Sequence, residues 1–399
     1  MIGQPFIVIQ CILNFVAKMA NMSDQVYYII TNVKGESVVN NAENSKIIST
    51  YHLNSVNGII YRTDVKLPSG YDVQEGTLLI PTIKNILNYL DNGIYLREVF
   101  LLDDADIKII VDDNHCTTNR IVLGKSYELG RIETIQMLVE KGAVLNIGHL
   151  YSWSIDHGYV ELAQYLIENG LDIQSGWDYP LIAAAQKGYL DLVKCLIEHG
   201  ADVHARGDYA LRISATNGYL DLVKYLVERG SYIHADGHGA LCLAAKNGHL
   251  HVVQYLLENG SNVHANNEEP FKLAVAGNHF DVVRCLTEAG ADFHVDNEYA
   301  LLLSAENGYT KIVEYLVMKG ANIHEKNNHA LCVSAENGHT NVVQCLIKSG
   351  ANVHVKKEYA LKQALIKGHL AIVKCLLTGG ADLREIECAV LTKFILELR

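Results

Sequence analysis

Residues 201–230 read ADVHARGDYALRISATNGYLDLVKYLVERG, and residues 231–260 read SYIHADGHGALCLAAKNGHLHVVQYLLENG. The two stretches follow one pattern position by position, so they are copies of one unit. In the first copy, Ala210, Leu211, Ile213, Ser214 and Ala215 are small or apolar at helical spacing. Asn217-Gly218 stops that helix, because glycine accepts a left-handed cap conformation. Leu220, Leu222, Val223, Leu226 and Val227 form the apolar stripe of a second helix with a 3.6-residue period. Asp221 and Lys224 lie three apart on its wet face, and Gly230 ends it. The polar stretch Ser231 to Gly237 suits a tight connector. A single helix pair cannot bury both stripes, so the unit folds by stacking on its neighbours.

The period extends in both directions. Gly170, Gly200, Gly230, Gly260, Gly290, Gly320, Gly350 and Gly380 recur every 30 residues. A second glycine lies twelve residues upstream of most of them, and one unit inverts the pair as Gly277-Asn278. Gly130 with Gly142, and Gly158 with Gly170, mark earlier units at a 28-residue step. The spacing predicts a mainly α stack, with two degenerate units over 115–170 and seven 30-residue units over 171–380. Val390, Leu391, Phe394, Ile395 and Leu398 predict a capping helix within 381–399.

These residues resemble the ankyrin-repeat family. Gly248-His249-Leu250, Val252-Val253 and Leu256-Leu257 match its second helix, and Gly200-Ala201-Asp202-Val203 its inter-repeat turn. Pro180 and Pro270 sit where the family's proline opens the first helix, a position that needs no N–H. The resemblance covers residues 143–399, with a degenerate unit at 115–142, and is similar to the shortened repeats expanded in large DNA viruses of amoebae. It implies an ankyrin-like α-solenoid that binds a protein on its concave face. Three departures stand out. The family period is 33, and the three residues missing here fall where its β-hairpin fingers project, which predicts stubby fingers. The family's Thr-Pro-Leu-His column is mostly lost, as in Tyr209-Ala210-Leu211-Arg212. Histidine replaces the asparagine of the family's turn.

In the family, the residues just before the mid-repeat glycine and those opening the first helix face the groove. Here those columns vary, and one is rich in tyrosine, a residue enriched in interface cores. The expected partner-binding residues are Tyr179, Gln186, Tyr209, Arg212, Thr216, Lys246, Glu269, Tyr299, Glu306, His329, Glu336 and Tyr359.

His204, His234, His264, His294, His324 and His354 form a column. Helical units stack about 8–10 Å apart, whereas zinc ligands each need a nitrogen about 2.0–2.1 Å from the ion. The column is therefore a ladder rather than a cage. It is expected to cap turn backbone, with pH-sensitive stacking as the alternative. His249, His279, His339 and His369 open second helices and are expected to be structural. Cys195, Cys285, Cys345 and Cys375 read as small core or intermediate-face residues. The sequence holds no H-E-x-x-H, P-loop, G-x-S-x-G or complete G-x-G-x-x-G. Catalysis needs different groups converging once, which tandem columns do not supply. The expectation is a non-enzyme with no cofactor and no metal.

Of the 399 residues, 49% are apolar and 20% charged, as in a folded protein. The net charge is −12, and neither the first 120 residues nor the rest is basic, which argues against nucleic-acid or anionic-membrane partners. The 9 cysteines include no C-x-x-C pair and suit reduced intracellular thiols. The apolar run Pro5 to Val16 is broken by Gln10 and Asn14, and it is shorter than the roughly 20 residues of a spanning helix. It also lacks a basic flank, which disfavours a secretory signal. Residues 1–22 are taken as an extension, with translation starting at Met19 or Met22.

Residues 23–114 lack the period and predict a small α+β module. Its strand-like runs are Val26–Thr31, Gly58–Thr63, Ile94–Leu102 and Ile107–Val111, with a short helix from Pro81 to Leu90. The Asp103-Asp104-Ala105-Asp106 cluster lacks the glycine and distal glutamate of an EF-hand and reads as a solvated turn. The expected role is a monomeric intracellular scaffold holding a protein partner, in the viral case a host protein in the host cytoplasm. The alternatives are a self-associating virion or assembly component, or an adaptor to host ubiquitin-ligase machinery.

Overall fold

The structure is a computed structural model that describes residues 27–31, 59–61, 78–81, 83–101, 110–111, 115–118, 120–387 and 390–391. It divides into two compact units, one within Met1–Ser175 plus Lys194–Gly200, the other within Gly176–Val193 plus Ala201–Arg399.

The first unit opens with strands rich in β-branched and aromatic residues. They are β1 (Tyr27–Thr31), β2 (Ile59–Tyr61), β3 (Leu78–Pro81), β4 (Tyr95–Leu101), β5 (Ile110–Val111), β6 (His115–Thr118) and β7 (Arg120–Glu128). They form two antiparallel sheets, ordered β1-β4-β7-β2 and β3-β6-β5. A 3-10 helix, Ile83–Asn92, buries Ile86, Leu87 and Leu90 and packs on β1. Helices α1 (Ile132–Glu140), α2 (Ile147–His157) and α3 (Val160–Glu168) follow. Buried Trp153 of α2 donates its indole N–H to the Leu90 carbonyl at 2.9 Å, tying the first helix pair to the sheet module. The degenerate unit expected from residue 115 differs from the structure. Residues 115–118 and 120–128 are strands, and only α1 is helical. The β-branched run Ile121-Val122 pairs with Leu101 and Phe100, which keeps it in the sheet.

In the second unit each repeat supplies a first and a second helix. The helices α4 (Ser175–Lys187) and α5 (Leu190–Glu198) are shared between the two units, and the pairs wholly within the second begin with α6 (Ala205–Thr216) and α7 (Leu220–Glu228). Next come α8 (Ala235–Lys246) and α9 (Leu250–Glu258), and α10 (Ala265–Ala276) and α11 (Phe280–Glu288). The last are α12 (Val295–Asn307) and α13 (Thr310–Lys319), α14 (Glu325–Glu336) and α15 (Thr340–Lys348), and α16 (Val355–Ile366) and α17 (Leu370–Thr378). From α6 on, each first helix packs on the first helix of the next repeat and on its own second helix. Ala210, Leu211, Ala215, Leu222, Val223 and Leu226 are all buried, and their counterparts recur every 30 residues as one apolar core. At each mid-repeat turn the chain closes as at Gly218, where Tyr219 N–H returns to the Ser214 carbonyl at 3.0 Å.

The connectors are short and built on an unusual backbone. Arg206-Gly207-Asp208 all adopt left-handed backbone angles (φ 52°, 65° and 57°), and so do residues 236–238, 266–268, 296–298, 326–328 and 356–358. Three residues coiled in the opposite sense reverse the chain in the short space that the 30-residue period leaves. The right-handed part of each first helix starts after this turn, so Pro270 sits in an opening turn. Past Gly380 the chain forms a short 3-10 helix, Leu383–Glu385. Most of the expected capping helix, and the extension at 1–22, lie outside the described residues.

Candidate functional site

Left-handed residues other than glycine cost about 1–2 kcal/mol each, so the connectors need compensation. In four of the six turns the third residue provides it. Asp208, Glu298, Asn328 and His238 are held against the following turn, where each accepts a backbone N–H from 24 residues later. Those donors are Tyr232 (2.8 Å), Asn322 (3.0 Å), Asn352 (2.9 Å) and Asn262 (3.2 Å). Asp208, Glu268, Glu298, Asn328 and Glu358 are buried. The histidine column lies four residues before them. His204 Nδ1 bonds Asp208 at 3.0 Å, and His264, His294 and His354 bond Glu268, Glu298 and Glu358 at 2.5 Å. The histidines therefore do not cap backbone as expected; their rings orient buried carboxylates. In one repeat the acceptor is His238, whose Nδ1 lies 3.3 Å from His234 Nδ1. Burial and the neighbouring His234 push its pKa down, favouring the neutral ring that can accept.

The second histidine set is structural in a specific way. His249, His279, His339 and His369 each donate Nε2–H to the carbonyl 33 residues earlier, on Thr216, Lys246, Glu306 and Glu336, at 2.8–3.1 Å. Gln186 likewise gives its carbonyl to Asn217 at 3.1 Å. These are the variable positions expected to bind a partner. The stack holds them chiefly through their main chain, Glu336 alone also accepting a side-chain bond from the next repeat, at Tyr359, so most of their side chains are free to differ.

Positions 299, 302, 303 and 306, and their counterparts, lie on one side of each first helix, since residues three, four and seven apart share a face. Tyr179 is 48% exposed, Gln186, Lys246 and Glu306 are exposed, and Tyr209, Thr216, Glu269, Tyr299, His329, Glu336 and Tyr359 are half-buried. All twelve expected residues therefore lie on, or at the edge of, a face built by successive first helices of the second unit. Some are already engaged. Arg212 bonds Asp236 at 2.6 Å and the Arg206 carbonyl at 3.0 Å, and its guanidinium lies 5.2 Å from the Tyr209 ring. Arg212 thus braces the left-handed turns. Tyr359 O–H reaches Glu336 at 3.4 Å, and burial with the Glu336 charge pushes its pKa up.

The same face carries Ile213, Leu243, Leu273, Leu303 and Val333, all half-buried, which the sequence reading did not assign to binding. Their position, four residues after the tyrosine column, was the available signal. Lys272 with Asp296 at 3.1 Å and Lys362 with Glu387 at 2.5 Å repeat the Arg212 arrangement. The lysine hydrogen bonds hold the carboxyls of Asp296 and Glu387 below their ordinary range. Among the described residues no three His, Cys, Asp or Glu side chains converge on a possible metal position. Among them, too, no helix is long and apolar enough to cross a membrane.

A family profile described as ankyrin repeats (3 copies) matches residues 150–236, 231–297 and 301–386, more than half of the chain. The chain belongs to the ankyrin-repeat family. Its ankyrin repeats are of the shortened type of the amoebal virus proteins. An ankyrin repeat protein of Acanthamoeba polyphaga mimivirus is 33% identical over 104 residues, 25% of this chain and 52% of that protein. A second from the same virus is 33% identical over 127 residues, 28% of this chain and 46% of that protein. The chain thus spans about half the length of these two relatives. An uncharacterized protein of that virus is 34% identical over 96 residues, 23% of this chain and 70% of that protein. A solved ankyrin repeat domain from Acinetobacter baumannii is 28% identical, with a TM-score of 0.39, covering 44% of this chain and all of that one. Ankyrin repeats generally mediate protein–protein interaction, and this chain carries the fold that does so.

Proposed function

We propose that the chain is a non-catalytic scaffold that holds one protein partner on the first-helix face of its ankyrin repeats. The observation that supports this most is the division of labour in the column Gln186, Thr216, Lys246, Glu306 and Glu336. Neighbouring repeats bind these residues through their carbonyls and, Glu336 with its bond from Tyr359 apart, leave the side chains to vary. A stack locked through its main chain presents its side chains already ordered, which lowers the entropy lost on binding. The viral relatives make a protein of the infected amoeba the natural partner, met inside the host cell.

Affinity capture from amoebal lysate with wild-type protein and with a Tyr209→Ala, Tyr299→Ala, Tyr359→Ala variant tests the reading. A partner held by the wild type and lost by the triple variant, at unchanged circular dichroism, is the expected result. Retention of the same partner by the variant would refute this site. The scaffold should sediment as a monomer at micromolar concentration; concentration-dependent assembly would favour the virion or assembly role instead.

A further inference from the structure

We infer that the first-helix face selects a helical partner segment bearing lysine or arginine beside an apolar ridge; this rests on the reading above and adds the chemistry of its partner. The apolar half of the match is the ladder Ile213, Leu243, Leu273, Leu303 and Val333, one half-buried aliphatic side chain per repeat. Packed helices lie about 8–10 Å apart. A helix rising about 1.5 Å per residue covers that distance in roughly two turns. Apolar residues near every seventh position would therefore meet successive rungs. An extended strand repeats each face about every 6.6 Å and falls out of step.

The charged half comes from which groups the face already neutralises. Arg212, Lys272 and Lys362 are each tied to an acid of a following connector. The acids on the face have no such partner: among the described residues, no ion pair reaches Glu269, Glu306 or Glu336. Glu306 and Glu336 occupy the same position on adjacent repeats, so they share the pitch of the ladder. Lys246 is the one base in that column, two repeats before Glu306. Their field is felt by some neighbours, though at Cys332 the opposing charge of Lys356 outweighs that of Glu336. Burial chiefly, with Glu269 adding to it, raises the Cys242 thiol to about 11, and Glu336 helps raise Tyr359. A cationic side chain arriving here relieves that potential, and an anionic one worsens it.

The test uses two fluorescent synthetic helical peptides with leucine at every seventh position, one flanked by lysines and one by glutamates. Both are titrated against the full chain by anisotropy. The lysine peptide should bind at least about tenfold tighter, with a preference that shrinks between about 0.05 M and about 0.5 M salt. The variant Glu306→Lys, Glu336→Lys, at one exposed and one half-buried position, should reverse the order. If both peptides bind equally and that variant changes nothing, while Leu303→Ser, Val333→Ser weakens both, the charge inference falls and the face reading stands. If binding ignores both pairs of substitutions, both readings fall. If neither peptide binds, the inference is overturned, and the lysate capture alone judges the face.

Discussion

Gly218 and Gly230 both hold positive φ, 76° and 100°, yet they do so for different reasons. A Cβ at Gly218 would lie 2.5 Å from His249 Nδ1, whereas one at Gly230 meets nothing within 4 Å. Gly218→Ala therefore pays for backbone strain and for displacing the histidine that bonds the Thr216 carbonyl. Gly230→Ala pays for strain alone, about 1–2 kcal/mol. Urea melts should rank Gly218→Ala as the more damaging by roughly 1–2 kcal/mol; equal losses would mean the ring moves aside freely. Cys242 offers a second check. With its thiol pushed up to about 11, less than about one molecule in a thousand is thiolate at pH 8. Alkylation at Cys242, followed by mass spectrometry, should be slow in native protein and fast in denaturant. Such residue-level facts were half legible. The 30-residue glycine step needed no coordinates, but the ring waiting above Gly218 belongs to the next repeat, and only stacking reveals it.

The left-handed connector is the element that one-dimensional reading could not supply. Arg206-Gly207-Asp208 and Lys356-Lys357-Glu358 share no composition that demands left-handed angles, and a short polar run looks like any solvated turn. Six repeats held the clue in the column Asp208, His238, Glu268, Glu298, Asn328 and Glu358, four residues after the histidines. Four of these side chains accept the next turn's N–H, a contact that no single repeat contains. The helices were legible because their stripes are local, and β7 was missed because its partners lie across the sheet. Lys357 is exposed at φ 56°. Lys357→Gly should be neutral or stabilise by up to about 1 kcal/mol, while the β-branched Lys357→Val should destabilise by about 1–2 kcal/mol. Thermal unfolding of the pair reads this directly; a stabilising valine would contradict the left-handed assignment.

Across the second unit, each repeat is held by neighbours rather than by a core of its own. Leu226 is fully buried between helices, so Leu226→Asp places an unpaired charge where no solvent reaches it. Hydrogen exchange should show protection lost over several repeats on both sides, because a stack fails through its interfaces. Loss confined to residues 201–230 would contradict that cooperativity. The strides of the cross-repeat bonds, 24 residues to the connector and 33 to the histidine, have a genetic corollary. Excise residues 231–260, and the Asp208 carboxylate finds Asn262 N–H where Tyr232 stood, while the Thr216 carbonyl finds His279 in place of His249. Unequal crossing-over between copies can thus lengthen or trim this protein in whole units without inventing a single new bond.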